Sequence, residues 1–355
     1  MPSVNVLTLL LRFANIFFVA TAPLLWHRNA AILKSTPLLG LGAILVVAWV
    51  IYRPAAVPKV LTLAWVSDAL CGVLLLGLFG LRLAAPPWVY GAFALALGVG
   101  MAGTEVAAMR MAVRSSHPPE LRSRISWFSF TKALGVGSGF LVGGAVAGTP
   151  RAAVPARVLV ALAGVAIVAL SAAIALAWAD PDPPDPAAPL EEGPPLAALA
   201  GMGLIALNFT VINLANALIP YRLSQACSLP KEWIGVLLAV EAYAHAFGTL
   251  AFRNGLGPLG DRSSYAVGLG GSVALLGLLV AFPRCGPGAC LTLLAGLGLT
   301  SALSYMASTI RFYACAFPRA IFPRVAVQKL ASSSGRAMGS WLAWRAVAWL
   351  DRGGG

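Results

Sequence analysis

The chain has 355 residues, of which 59% are hydrophobic and only 10% charged, with a mean hydropathy of +0.84. A soluble domain carries about 25% charged residues, so this composition excludes one. The net charge of +13 comes from basic residues set singly between apolar runs, a pattern of membrane topology and not of a phosphate-binding patch, and no nucleic-acid partner is expected.

The apolar runs are of membrane-spanning length and do not alternate, so they are read as helices and not as strands of a barrel. In chain order the spans cover about Val4–Trp26, Ile32–Tyr52, Val60–Gly80, Trp88–Met109, Ile125–Gly148 and Val158–Trp178. Residues 179–195 then read ADPDPPDPAAPLEEGPP, a proline-rich acidic stretch that can neither continue a helix nor enter lipid. It is the expected cytoplasmic linker between an N-terminal bundle (1–178) and a C-terminal bundle (196–355). The second half holds spans near Ala197–Ile219, Ile234–Phe252, Tyr265–Phe282, Cys290–Ile310 and Val325–Leu350. The fold expected is all-α and integral to the membrane, two pseudo-symmetric six-helix-type bundles with about eleven spans, the twelfth missing. Arg336 and Arg345 make the eleventh costly in lipid, so it is expected to be short and packed inside the bundle, or to mark a truncated chain.

The halves are similar. Shifting residues 98–139 forward by two hundred places Gly98 on Gly298, Pro118 on Pro318, Arg124 on Arg324, Gly135 on Gly335 and Gly139 on Gly339. A repeated bundle of membrane helices is how many secondary transporters are built, with the substrate path between the repeats. With the N-terminus in the cytoplasm, the loops after even-numbered spans take more of the basic residues, including Arg110, Arg114, Arg122 and Arg124 on one half and Arg311, Arg319, Arg324 and Lys329 on the other. The start of the chain has no basic n-region or cleavage site, so the first span is expected to be retained.

Residues 88–144 resemble spans four and five of a major facilitator superfamily transporter, and are similar in particular to the branch of bacterial siderophore exporters and drug-efflux proteins. Gly257, Leu259, Asp261 and Arg262 resemble that family's G-x-L-A-D-R loop motif between spans eight and nine. Gly135, Gly139, Gly143 and Gly144 resemble its span-five antiporter pattern, with Phe140 in place of a proline. The loop between spans two and three departs from the motif, reading Tyr52-Arg53-Pro54 through Lys59. The resemblance implies proton-antiport efflux of a small molecule by alternating access across the bacterial inner membrane, by a monomer. The glycines at i, i+4 and i+8 form a stripe for close helix approach, or serve ordinary packing. Asp261 latches one face by bonding helix amides or a neighbouring arginine, or is a plain turn residue.

Ionisable groups inside spans are expensive in lipid and so are functional candidates. Spans one, four and seven line the central cavity in the superfamily that the chain resembles, which implies Arg12, Asn15, Glu105, Asn208 and Asn213 as substrate-cavity residues. Lys132 of span five adds a positive group, and the two cations suit an anionic substrate such as a carboxylate siderophore. Glu105, Glu241, His245 and Asp68 are the candidates for proton coupling; Glu241 and His245, four apart, share a helix face. The alternative for Asp68, Glu105 and Arg110 is structural pairing near a membrane face. The histidines and cysteines have no metal-ligand spacing, and no cofactor, metal or enzymatic chemistry is expected. Cys285 and Cys290 flank a Gly-Pro-Gly and could close a small disulfide, and His117 to Glu120 reads as a turn. The alternatives in function are an importer or facilitator of the same fold, or a truncated non-transporting membrane partner.

Overall fold

The computed structural model describes residues 30–52, 66–67, 70–71, 86–113, 118–148, 195–225, 229–253, 260–281, 286–314 and 321–353. They form eight helices and, among the described residues, no strand: α1 (Ala30–Tyr52), α2 (Pro87–Val113), α3 (Pro118–Gly148), α4 (Pro195–Gln225), α5 (Lys231–Ala251), α6 (Gly260–Ala281), α7 (Pro287–Ala314) and α8 (Ile321–Gly353). These are the second, fourth, fifth and seventh to eleventh spans. Spans one and six, most of span three and the acidic linker lie outside the described residues.

Proline sets several helix starts. It is the first residue of α2, α3, α4 and α7, and Pro230 immediately precedes α5. The first turn of a helix has no use for the N–H that proline lacks, and the fixed φ suits the helix. Pro118, Pro119 and Glu120 are accordingly the opening turn of α3 and not the expected turn ahead of it. Five helices, α3 to α7, are long and apolar enough to cross a membrane. Exposed Trp88 and Trp233 stand near the starts of α2 and α5, where aromatic side chains suit a membrane–water interface.

The eleventh span is not short. α8 runs 33 residues, packed along α4 on one side and α1 on the other. Its arginines find aromatic partners: the Arg336 guanidinium lies 5.0 Å from the Phe209 ring centre, and that of Arg345 lies 5.5 Å from Trp341. Cation–π contact and an exposed position for Arg345 reduce the cost that the sequence implied.

The repeat is visible in the packing. α1 packs on α2 in the first half as α5 packs on α7 in the second. Between the halves, α3 packs on α5 and α8 packs on α1, a second symmetric pair. The glycines in register make equivalent close approaches. A Cβ on Gly98 would strike the Leu39 carbonyl of α1, and one on Gly298 would strike the Glu241 carbonyl of α5. Gly335 and Gly339 sit on the Ala206 and Thr210 carbonyls of α4, and Gly144 meets Gly235 at the α3–α5 crossing. Small residues allow backbone-to-backbone contact, which drives helix association where lipid supplies no hydrophobic force.

These contacts make a testable contrast. Gly298→Leu is expected to destabilise the purified protein by about 1–3 kcal/mol through overpacking, read as a lower midpoint of thermal unfolding in detergent. Gly277→Leu, where a side chain meets open space, should leave the midpoint unchanged.

Candidate functional site

Three helices from both halves deliver charged side chains to one point. Glu105 of α2 bonds Lys132 of α3 through Oε1 at 3.1 Å and Lys329 of α8 through Oε2. All three side chains are nearly buried, Lys329 most of all at 4% exposed. Glu105 is eight residues from the end of α2 and Lys329 eight from the start of α8, so the cluster lies about 12 Å along each helix from the arginine-rich end of the bundle. Lys329, expected in a loop, is thus an interior residue of α8.

Among the described residues, one carboxylate stands between two ammonium groups in a site shielded from water. Aromatic faces take part of the positive charge: Lys132 Nζ lies 5.3 Å from the centre of the Tyr305 ring and 5.9 Å from that of Phe128. Glu105, Lys329, Tyr305, Phe128, Phe209, Gln328 and Ser332 are among the residues lining a small cavity of about 20 Å³, room for a single water. Tyr313 donates to Gln328 Oε1 at 2.7 Å and fixes that wall. The cluster is therefore closed to anything of substrate size in this conformation.

A second tie crosses between the halves nearer the arginine-rich end. Arg122 of α3 meets Asp261 of α6 at 3.5 Å, with both side chains about one-third exposed. Asp261 follows Gly260, whose φ of 70° lies in the left-handed region, so the turn needs glycine there. Of the two partners expected for Asp261, a helix amide or a neighbouring arginine, the structure shows the arginine. Between the two ties, Ser126 Oγ donates to the Thr249 carbonyl at 2.9 Å and Ser129 Oγ donates to Tyr305 Oη at 3.3 Å. Farther along α3, Ser138 and Tyr243 share a hydrogen bond of 3.1 Å. Polar contacts thus reach the other half along much of α3.

The remaining expected residues divide. Asn208 is buried in the contact of α4 with α7, its Oδ1 accepting from Ser304 at 2.6 Å while Nδ2 has no partner. Asn213 donates from Nδ2 to the Arg336 carbonyl and to Ser340, joining α4 to α8. His245 Nδ1 bonds Ser301 Oγ at 2.8 Å, and Glu241 is buried one turn earlier. Gly135, Gly139, Gly143 and Gly144 are buried in α3, and Arg262 is exposed. Arg12, Asn15, Asp68, Gly257, Leu259 and Cys285 lie outside the described residues. Lys329, Tyr305 and Gln328 were not singled out from the sequence. Lys329 carried a signal, since it falls within the apolar bounds of the eleventh span while having the charge of a loop residue.

Unpairing either cation has different consequences. Glu105→Gln removes the carboxylate that both buried ammonium groups share and is expected to cost about 3–5 kcal/mol. Lys329→Met leaves the Glu105–Lys132 pair intact and should cost less. The double variant Glu105→Gln/Lys329→Met should recover stability relative to Glu105→Gln alone, a coupling that a double-mutant cycle of unfolding midpoints measures. Arg122→Ala, at a partly exposed pair, should change stability by no more than about 1 kcal/mol.

No protein-family model matches the chain, and no curated protein matches it. Solved structures do. The chain superposes on a crystal structure of a bacterial homologue of the iron transporter ferroportin in the outward-facing state, with a TM-score of 0.64 and 17% identity, covering 98% of this chain and 91% of that one. A structure of such a homologue in the same state with soaked iron gives a TM-score of 0.62 and 16% identity over the same shares. The chain is a multi-pass membrane protein with the duplicated helical fold of these transporters.

Proposed function

We propose that this protein is a secondary active transporter of the inner membrane, its N-terminus cytoplasmic, which exports an anionic small molecule by proton antiport. The carrying observation is the buried Lys132–Glu105–Lys329 cluster, made by both halves of a duplicated fold. It ties the two bodies whose relative rocking is alternating access. The Arg122–Asp261 pair stands as an outer layer of the same lock, at the end taken to face the cytoplasm.

The coupling follows from charge. While Glu105 is a carboxylate it holds both lysines, and the halves stay together at the arginine-rich end. A proton on Glu105 weakens its hold on Lys329 and Lys132, which loosens α8 from α2 and α3. Substrate entering from the cytoplasm then meets the ammonium groups of Lys132 and Lys329, and its own anionic group takes up the attraction that the Glu105 carboxylate supplied. Protonation of Glu105 therefore favours binding of the anion. Exchange results when that proton, taken up from outside, leaves to the cytoplasm, so that the Glu105 carboxylate retakes the lysines and closes the arginine-rich end behind the substrate. A carboxylate chelator of the siderophore class has the charge for this site.

A second reading, suggested by the iron of the structural neighbours, is transport of a bare metal cation. Among the described residues two cations face one anion at the cluster, which opposes it, and no three His, Cys, Asp or Glu side chains gather to hold a metal. The two readings separate in an export assay in a host lacking the gene. Wild-type protein should lower the cellular level of an anionic chelator when the medium is acidic, and Glu105→Gln should leave it at the level of the deletion strain despite normal amounts in the membrane. Export of iron(II) with no effect on any chelator would instead favour the cation, and normal chelator export by Glu105→Gln would remove Glu105 from the coupling.

A further inference from the structure

Glu241 is the other acidic side chain deep in the described helices, and it differs from Glu105 in every respect that matters. It is 6% exposed, near the middle of α5, and among the described residues it has neither an ion pair nor a hydrogen bond. Its neighbours on α5, Leu237, Leu238, Ala239 and Ala242, belong to an apolar core to which α4 contributes Ala215, Ile219 and Leu223, and α7 contributes Leu294 and Leu297. An unpaired carboxylate in such surroundings is far more costly than a carboxylic acid. No packing or capping role accounts for an acid here, since its own backbone carbonyl, not its side chain, makes the contact with Gly298.

The path from Glu241 leads to the cluster already described. His245 lies one helical turn along the same face of α5, its Nδ1 on Ser301. The His245 ring stands 5.8 Å from that of Tyr305, centre to centre. Tyr305 accepts from Ser129, lies beneath Lys132 and lines the cavity that Glu105 also lines. The charged and titratable groups facing this route are Lys132 from α3 and Tyr305 from α7; the α4 residues of the surrounding core are apolar.

We propose that Glu241 is a second proton-binding site of the carrier, separate from Glu105, and that His245 and Tyr305 connect the two. This rests on the reading of Glu105 as a coupling carboxylate. A proton leaving the Glu241 acid makes a carboxylate there and an imidazolium at His245. Its passage through the cavity to Glu105 restores neutral imidazole and makes Glu105 an acid, which releases Lys329. Protons thus reach the lock from the middle of the C-terminal half, without the arginine-rich end having to open first.

Protons themselves are the probe, so the test needs no substrate. Full-length protein in liposomes is adsorbed on a solid-supported membrane, and the charge displaced by a pH jump is recorded. Two sites predict that Glu241→Gln and Glu105→Gln each lose about half of the displaced charge and the double variant nearly all of it. Glu241→Asp, which keeps an acid in place and guards against a merely misfolded variant, should retain the signal. His245→Gln should keep the amplitude but slow its rise. Full charge in Glu241→Gln, with the signal lost in Glu105→Gln, would overturn the second site and leave the coupling role of Glu105 standing. Full charge in both single variants and in the double would overturn both.

Discussion

Burying a carboxylate with two ammonium groups is the constraint on which the rest of this structure depends. Each ion loses several kcal/mol of hydration on leaving water, and only close opposite charge returns it. Glu105 and Lys132 come from one half and Lys329 from the other, so the compensation is complete only while the halves are docked. The same energy that makes the closed state stable makes it sensitive to one proton. A lock of apolar contacts alone would hold as firmly, but would not respond to pH.

The fold supplies what such a lock requires. Glycines at Gly98, Gly298, Gly335 and Gly339 bring helices into backbone contact within each half, so each half moves as a unit. Between the halves the α3–α5 crossing is tight at Gly144 against Gly235 and at Gly137 against the Tyr243 ring, and it also carries hydroxyl contacts such as Ser126 to Thr249 and Ser138 to Tyr243. Single hydrogen bonds of this kind are each worth about 1 kcal/mol and can be exchanged for water. Strength within the halves and modest, reversible ties between them suit alternating access.

The architecture was legible in the sequence because lipid permits few alternatives. Length, scarcity of charge and the two-hundred-residue register pointed to a duplicated helical bundle, and the in-register pair Gly98 and Gly298 make equivalent contacts. Glu105 and Lys132 were legible as costly charges inside spans, and Asp261 through its loop motif. Their partners were not, because pairing across the halves depends on three-dimensional register. Lys329 is 224 residues from Glu105, and Arg122 was read as a loop anchor when it closes a contact with Asp261. The length of α8 was misjudged for a related reason: the cost of Arg336 was counted without Phe209 beneath it.

The central claim is that the charge on Glu105 keeps the arginine-rich end closed. Met109 lines the cavity beside Glu105 and is 3% exposed, so it reports opening directly. In protein whose native cysteines are replaced, Met109→Cys should react slowly with a membrane-impermeant maleimide applied to inside-out vesicles. Adding Glu105→Gln should raise that rate severalfold, as should acidification of the protein with Glu105 intact. Equal labelling rates with and without the Glu105 charge would contradict the account.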